Sequence, residues 1–227
     1  MIGTLSRSFF LFPVFRFFGH SLIHLLNMSR YAKSLVLITG ILIVDQVSKY
    51  FVKTGMTLGE EIRVFGNWFI IHFIENNGMA FGMEMGGESG KIILSLFRLV
   101  AIAAITWYLV KLIRGKAPNG LIMAISLVLA GAIGNMIDSA FYGLIFSEST
   151  PFETAVLFPE GGGYSSFLHG KVVDMLYFPV IRGVYPEWFP FWGGESFIFF
   201  RPVFNLSDAC ITTGVLMILV FQKRYFK

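Results

Sequence analysis

The chain has 227 residues, of which 55% are hydrophobic and only 14% charged, well below the quarter or so found in soluble domains. Its apolar residues fall in long runs, and about 20 in a row suffice for a helix to cross a bilayer, so an ordinary soluble fold is excluded. The net charge of +4 fits cytoplasmic anchors rather than nucleic-acid binding, and the single cysteine, Cys210, rules out an intrachain disulfide.

Residues 1–27 include an apolar run, Phe9 to Phe18, interrupted by Pro13 and Arg16. It is too short to span and lacks a small-residue cleavage site, so it makes a poor signal peptide. The stretch Met28-Ser29-Arg30-Tyr31-Ala32-Lys33 reads as a start before a first span. Residues 1–27 are therefore expected to be an upstream extension or an interfacial segment, and 28–227 a single membrane domain.

Four spans follow, at about Ser34–Val52, Ile92–Ile113, Gly120–Asp138 and Val203–Phe221. Basic residues cluster before the first (Arg30, Lys33), between the second and third (Lys111, Arg114, Lys116) and after the fourth (Lys223, Arg224, Lys227). The positive-inside rule places these clusters and both termini on the cytoplasmic side, with the two long loops outside. Ile62 to Ile74, with Gly66-Asn67 as a turn signal, predicts a short hairpin or small sheet in the first outer loop. The second, about Ser139 to Pro202, contains Pro151, Pro159 and Gly161-Gly162-Gly163 and is expected to be irregular; Trp188 and Trp192 suit the membrane–water boundary. The expected fold class is an all-α membrane protein: four transmembrane helices with a small extracytoplasmic β-sheet and a long second extracytoplasmic loop.

Ionisable side chains inside spans are costly and mark function by default. Asp45 and Lys49 lie in the first span, Asn135 and Asp138 end the third, and Asn205 and Asp208 open the fourth. At 1.5 Å rise per residue, Asp208 sits roughly 8 Å and Asp45 roughly 12 Å below the outer end of its span. The polar positions therefore gather just beneath the outer surface, where two carboxylates sharing one proton could hydrolyse a peptide without metal. The residues alone point to Asp208, with Asp138 or Asp45 as its partner. Asp45 and Lys49 also read as an intrahelical ion pair, Asp138 as the end of a helix, and Arg98 as a side chain snorkelling from the second span. Cys210 reads as a packed residue, and His72 and His169 have no metal-binding spacing; no metal or cofactor is expected. An ion-coupled transporter component is the competing class, but no inverted repeat or matched pair of broken helices supports it.

Five motifs occur in order from about Ser34 onward: Asp45-Gln46-Val47-Ser48-Lys49; Asn76-Asn77-Gly78-Met79-Ala80-Phe81; Gly131-Ala132-Ile133-Gly134-Asn135-Met136-Ile137-Asp138; Val172-Val173-Asp174; and Phe204-Asn205-Leu206-Ser207-Asp208. Together they resemble the lipoprotein signal peptidases (signal peptidase II). The resemblance implies an intramembrane aspartic endopeptidase of the bacterial inner membrane; a monomer is the default expectation. It would cut diacylglyceryl-modified prolipoproteins before the lipidated cysteine. It makes Asp174 and Asp208 the catalytic pair, with Asp45, Lys49, Asn76, Gly78, Gly131, Gly134, Asn135, Asp138 and Asn205 binding substrate or supporting the site. The stretch carrying Asp174 would return to the membrane at the mouth of the spans. Three departures stand out. Ser139 replaces an arginine that often follows the aspartate matching Asp138, Ser207 replaces an alanine, and roughly 25 residues are inserted between Gly143 and His169, well beyond ordinary connection lengths.

Overall fold

The structure is a computed structural model and describes residues 28–77 and 87–226. The segment 1–27 and the motif residues Gly78 to Phe81 lie outside the described residues.

Helix α1, Arg30–Gly55, starts where the Ser29 hydroxyl accepts a hydrogen bond from the Ala32 N–H at 3.2 Å, satisfying one of the unpaired donors of the first turn. Helix α2 covers Gly87–Arg114 and α3 covers Asn119–Ile137. A π-helical turn, Asp138–Tyr142, and a short helix α4, Gly143–Ile145, extend α3. Three apolar helical stretches, Arg30–Gly55, Gly90–Arg114 and Asn119–Ile145, are long enough to cross a bilayer. Leu35, Phe51, Ile93, Phe97 and Val100 are exposed on α1 and α2, as expected of faces solvated by lipid. Helix α5, Leu206–Val220, is apolar but has 15 residues, about 22 Å of rise, and is followed by α6, Gln222–Tyr225. It begins later than the expected fourth span because Val203 and Phe204 belong to a strand and Asn205 caps the helix.

The all-α expectation needs correction. One antiparallel sheet has the order β1-β2-β3-β6, from β1 (Glu61–Phe65), β2 (Phe69–Asn76), β3 (Val172–Tyr177) and β6 (Val203–Phe204); β4 (Ile181–Val184) and β5 (Ser196–Phe199) form a separate hairpin. The hairpin expected at Ile62 to Ile74 is β1–β2, with Glu61 opposite His72. The second loop, expected to be irregular, supplies β3, β4 and β5, and the start of the expected fourth span supplies β6. Pro151, Pro159 and Gly161-Gly162-Gly163 fall in the connections, whereas Val172-Val173-Asp174-Met175-Leu176-Tyr177 is almost wholly buried, as suits a strand paired on both edges. Ile74 faces Asp174 on one side of β3, and Leu176 faces Phe204 on the other. Since β6 runs into α5, this register brings Asp174 to the N-terminus of α5.

The insertion after Gly143 is stitched to the body. The Thr150 carbonyl accepts from the Leu58 N–H and the Ala155 N–H donates to the Lys53 carbonyl, while the Ser147 N–H to Val156 carbonyl bond and the Phe146–Leu157 bridge close the insertion on itself. Phe146 and Ala155 join Phe73, Val173, Met175 and Tyr142 in one buried cluster.

Helix α3 packs closely on α5 through glycine. A Cβ on Gly131 would collide with the Ser207 carbonyl and lie 2.7 Å from Ile211 Cγ1; one on Gly134 would strike the Ser207 hydroxyl and sit 2.9 Å from Asp45 Oδ2. Small residues permit this approach where lipid gives apolar faces no driving force to associate. Gly131→Val should lower stability by about 1–3 kcal/mol through overpacking, whereas Gly40→Ala, where nothing lies within 4 Å, should be neutral or slightly stabilising. Thermal unfolding in detergent micelles checks both.

Candidate active site

Asn205 is the N-cap of α5. Its side-chain oxygen accepts from the Asp208 N–H at 2.9 Å, while Asp208 Oδ2 accepts from the Asn205 N–H at 3.3 Å. This reciprocal box satisfies two exposed helix donors and fixes Asp208 against the first turn. The Asn205 amide nitrogen faces the other way. It donates to Asp174 Oδ1 at 2.7 Å, with Asn135 Oδ1 at 3.1 Å and the Val173 carbonyl at 3.3 Å also in reach. One asparagine therefore touches both aspartates that the resemblance singles out. Asp208 Oδ1 also accepts from the Asn135 amide at 2.8 Å, and Asp174 Oδ2 from the Asn76 amide at 3.3 Å.

Asp174 is buried and Asp208 partly exposed. Burial, reinforced by the charge of Asp208, pushes the Asp174 carboxyl up to about 7 against the opposing hydrogen bonds from Asn76 and Asn205. Asp174 therefore tends to hold a proton near neutral pH, the behaviour of one member of a pair that cannot easily carry two negative charges.

A second layer lies beneath. Asp45, Lys49 and Asp138 are fully buried. Lys49 Nζ lies 2.9 Å from Asp45 Oδ2, 2.8 Å from Asp138 Oδ2 and 3.1 Å from Asn135 Oδ1. The expected pairing of Asp45 with Lys49 is present, and Asp138 completes it as a second partner of the same ammonium. Both carboxylates also hold backbone N–H groups beside the two aspartates above, Asp45 through its other oxygen and Asp138 through the oxygen that faces Lys49. Asp45 Oδ1 accepts from the Ser207 N–H at 3.0 Å, one residue before Asp208; Asp138 Oδ2 accepts from the Val173 N–H at 3.3 Å, one residue before Asp174. Gln46 donates to Asp138 Oδ1 at 2.9 Å and to Asp45 Oδ2 at 3.1 Å, and accepts from the Tyr142 hydroxyl at 3.2 Å.

The structure thus gathers Asp45, Lys49, Asn76, Asn135, Asp138, Asp174, Asn205 and Asp208, with Gly131 and Gly134 where α3 meets α5. Gly78 lies outside the described residues.

Three features were not read from the sequence. Gln46 joins the buried carboxylates, although its place one residue after Asp45 was a signal. A second buried network links Lys53 to Glu75 and, at 2.9 Å, to the Ser149 hydroxyl of the insertion, with Lys171 Nζ 3.3 Å from Glu75 Oε2. Arg98 does not snorkel away, as its position near a span end suggested. Its Nη1 donates to Ser139 Oγ at 3.0 Å, so a guanidinium from α2 reaches the residue where an arginine was expected. Lys91 and Ser95, seven and three positions earlier, donate to the His169 and Leu168 carbonyls at 2.7 and 3.1 Å, completing a polar stripe on α2. Among the described residues no cluster of three His, Cys, Asp or Glu side chains is arranged to hold a metal ion.

Residues 37–223 match the model of the signal peptidase (SPase) II family. The chain belongs to the signal peptidase II family. It is 53% identical over 189 residues to the lipoprotein signal peptidase of Porphyromonas gingivalis, covering 83% of this chain and 81% of that one. The lipoprotein signal peptidase of Amoebophilus asiaticus is 37% identical over 185 residues, 80% of this chain and 73% of the relative. Two solved structures of bacterial membrane enzymes share the fold. One is 25% identical with a TM-score of 0.54, covering 85% of this chain and 88% of the other; the second is 26% identical with a TM-score of 0.51, covering 83% and 91%. Family membership makes the chain a membrane peptidase.

Removing one member of a buried ion cluster leaves uncompensated charge, which costs about 3–5 kcal/mol. Lys49→Met should destabilise the protein by that order, and Lys49→Met/Asp138→Asn should recover part of the loss. Unfolding in detergent measures both, and equal stability of the two variants would contradict the pairing.

Proposed function

We propose that the chain removes the signal peptide from bacterial prolipoproteins as an intramembrane aspartic endopeptidase, with Asp174 and Asp208 as its catalytic pair. The family match and its lipoprotein signal peptidase relatives support the substrate class, and they do not favour an ion-coupled transporter. The observation that carries the chemistry is the Asn205 bridge: its side-chain amide donates to the Asp174 carboxyl and its backbone N–H to the Asp208 carboxyl, while burial favours a proton on Asp174 near neutral pH.

In this mechanism the pair works with one shared proton. Ionised Asp208 takes a proton from water as the water oxygen attacks the scissile carbonyl carbon, and Asp174 gives its proton to the carbonyl oxygen. The tetrahedral intermediate collapses as the C–N bond breaks, Asp208 returns a proton to the departing amine, and Asp174 recovers one from the hydroxyl. Asn76 and Asn135 line the site beside the reacting groups, and Asp45, Lys49 and Asp138 hold the two segments in register.

The substrate in this reading is a diacylglyceryl-modified precursor, cut just before its lipidated cysteine. A site near the membrane surface suits a substrate whose lipid and apolar signal helix both arrive from the bilayer. We place residues 28–227 in the bacterial inner membrane as one four-span domain, with α5 as the fourth crossing, both termini cytoplasmic and the sheet and active site outside. The basic clusters at the span ends support that orientation. The chain acts alone, without nucleic acid or cofactor, among membrane lipids.

Asp174→Asn and Asp208→Asn should each reduce cleavage of a lipidated precursor by about a thousand-fold or more while the protein stays folded. Gel-shift assay of purified protein reads this, and near-normal cleavage by either variant removes the assignment. A separate outcome concerns stability. A carboxyl raised from 3.8 to about 7 on folding favours the folded state at low pH, and that advantage is lost as pH rises through the interval. Asp174→Asn should therefore stabilise the protein more at about pH 8 than at about pH 5, in paired thermal melts.

A further inference from the structure

Arg98 stands out among the polar groups that the proposed mechanism leaves unused. It comes from α2, whereas the site residues come from α1, α3 and its π turn, β2, β3 and α5. The Ser139 hydroxyl donates to the Asn135 carbonyl one turn back at 3.1 Å and accepts from Arg98 Nη1 at 3.0 Å. The guanidinium is thereby fixed on the turn that also carries Asn135, whose amide donates to Asp208. Lys91 and Ser95 clamp the same stripe of α2 to the chain just ahead of β3.

Charge balance gives this placement a purpose. Facing the site are the carboxylates Asp45 from α1, Asp138 from the π turn, Asp174 from β3 and Asp208 from α5. Among the described cations, Lys49 from α1 is engaged by Asp45 and Asp138, while Lys53 from α1 and Lys171 beside β3 are engaged by Glu75. Lys91 is directed to Asn77 and the His169 carbonyl. Arg98 lies in the field of Asp208 first, then Asp138 and Asp174. A guanidinium keeps its charge when buried, and in a medium of low dielectric it acts strongly on nearby anions.

We propose that Arg98 is a positioning residue for the cleavage reaction: held by Ser139, its guanidinium stabilises the single negative charge of the Asp174–Asp208 pair. This inference rests on the reading of those aspartates as the catalytic pair. It gives α2, otherwise largely apolar, a direct electrostatic part in the chemistry.

The test is the pH dependence of kcat/KM for a lipidated precursor in Arg98→Gln, Arg98→Lys and the wild type, with thermal melts in parallel. Loss of the positive charge disfavours the ionised state of the pair, so the acidic limb for Arg98→Gln should move to higher pH by about one unit. Its activity deficit should then be greatest, on the order of tenfold or more, on the acid side and shrink toward alkaline pH. Arg98→Lys should keep the wild-type limb. In an Arg98→Ala background, Ser139→Arg should restore the limb by supplying the charge from α3's own extension. A wild-type limb in Arg98→Gln overturns the proposal, as does an equal loss at every pH shared by Arg98→Lys; if the double variant does not fold, these two profiles decide alone. Asp208→Asn run alongside separates the failures. If it cleaves normally, the catalytic reading itself is wrong; if it is inactive while Arg98→Gln keeps the wild-type profile, only the role of Arg98 falls.

Discussion

The site depends on one buried ammonium. Lys49 sits between Asp45 and Asp138, and each carboxylate uses its remaining capacity to hold the backbone N–H of the residue just before Asp208 or Asp174. Two segments far apart in sequence, β3 and the start of α5, are thereby referred to the same charge. Burying three ions is expensive, and the penalty is offset only where nearly every lone pair and proton finds a partner. Gln46, Asn135 and the Tyr142 hydroxyl complete that requirement. An apolar replacement of the cluster could pack as well, but it could not hold the Ser207 and Val173 amides, so the ions contribute placement more than stability.

The sheet and the glycines serve the same end. Register in β3 aligns Asp174 with Ile74 and carries Leu176 to Phe204, which leads directly into the Asn205 cap. Gly131 and Gly134 allow α5 close enough for Asp45 to reach the Ser207 amide. The insertion adds a second anchor, since Ser149 and Lys53 meet at Glu75 on β2, next to Asn76. What reads as a long irregular excursion is a wrap that ties the end of α1 to the strand beside Asp174.

Much of this was legible because lipid restricts the options. Apolar runs located three helices within a few residues, and the turn at Gly66-Asn67 located the first hairpin. Asp45 and Lys49, four residues apart, announced their pairing, and charge inside a span pointed to Asp208. Asp174 was a different matter. In a strand buried on both edges it sits in an apolar run without alternation, and only the family resemblance singled it out. The other strands of the second loop were hidden because short pairings depend on partners distant in sequence. Arg98 was misread because a lone arginine near a span end has two outlets, water or protein. The choice depends on Ser139 at the contact, which sequence spacing does not reveal.

The buried ion cluster brings Asp174 and Asp208 together by holding the Val173 and Ser207 N–H groups. Cross-linking tests it most directly: a Cys210→Ala protein carrying Asp174→Cys and Asp208→Cys, treated in membranes with a short thiol-specific bifunctional reagent, compared with the same protein also carrying Lys49→Met. The account predicts efficient intramolecular coupling in the first and a marked loss in the second. Failure to couple in the first, or equal coupling in both, would contradict it.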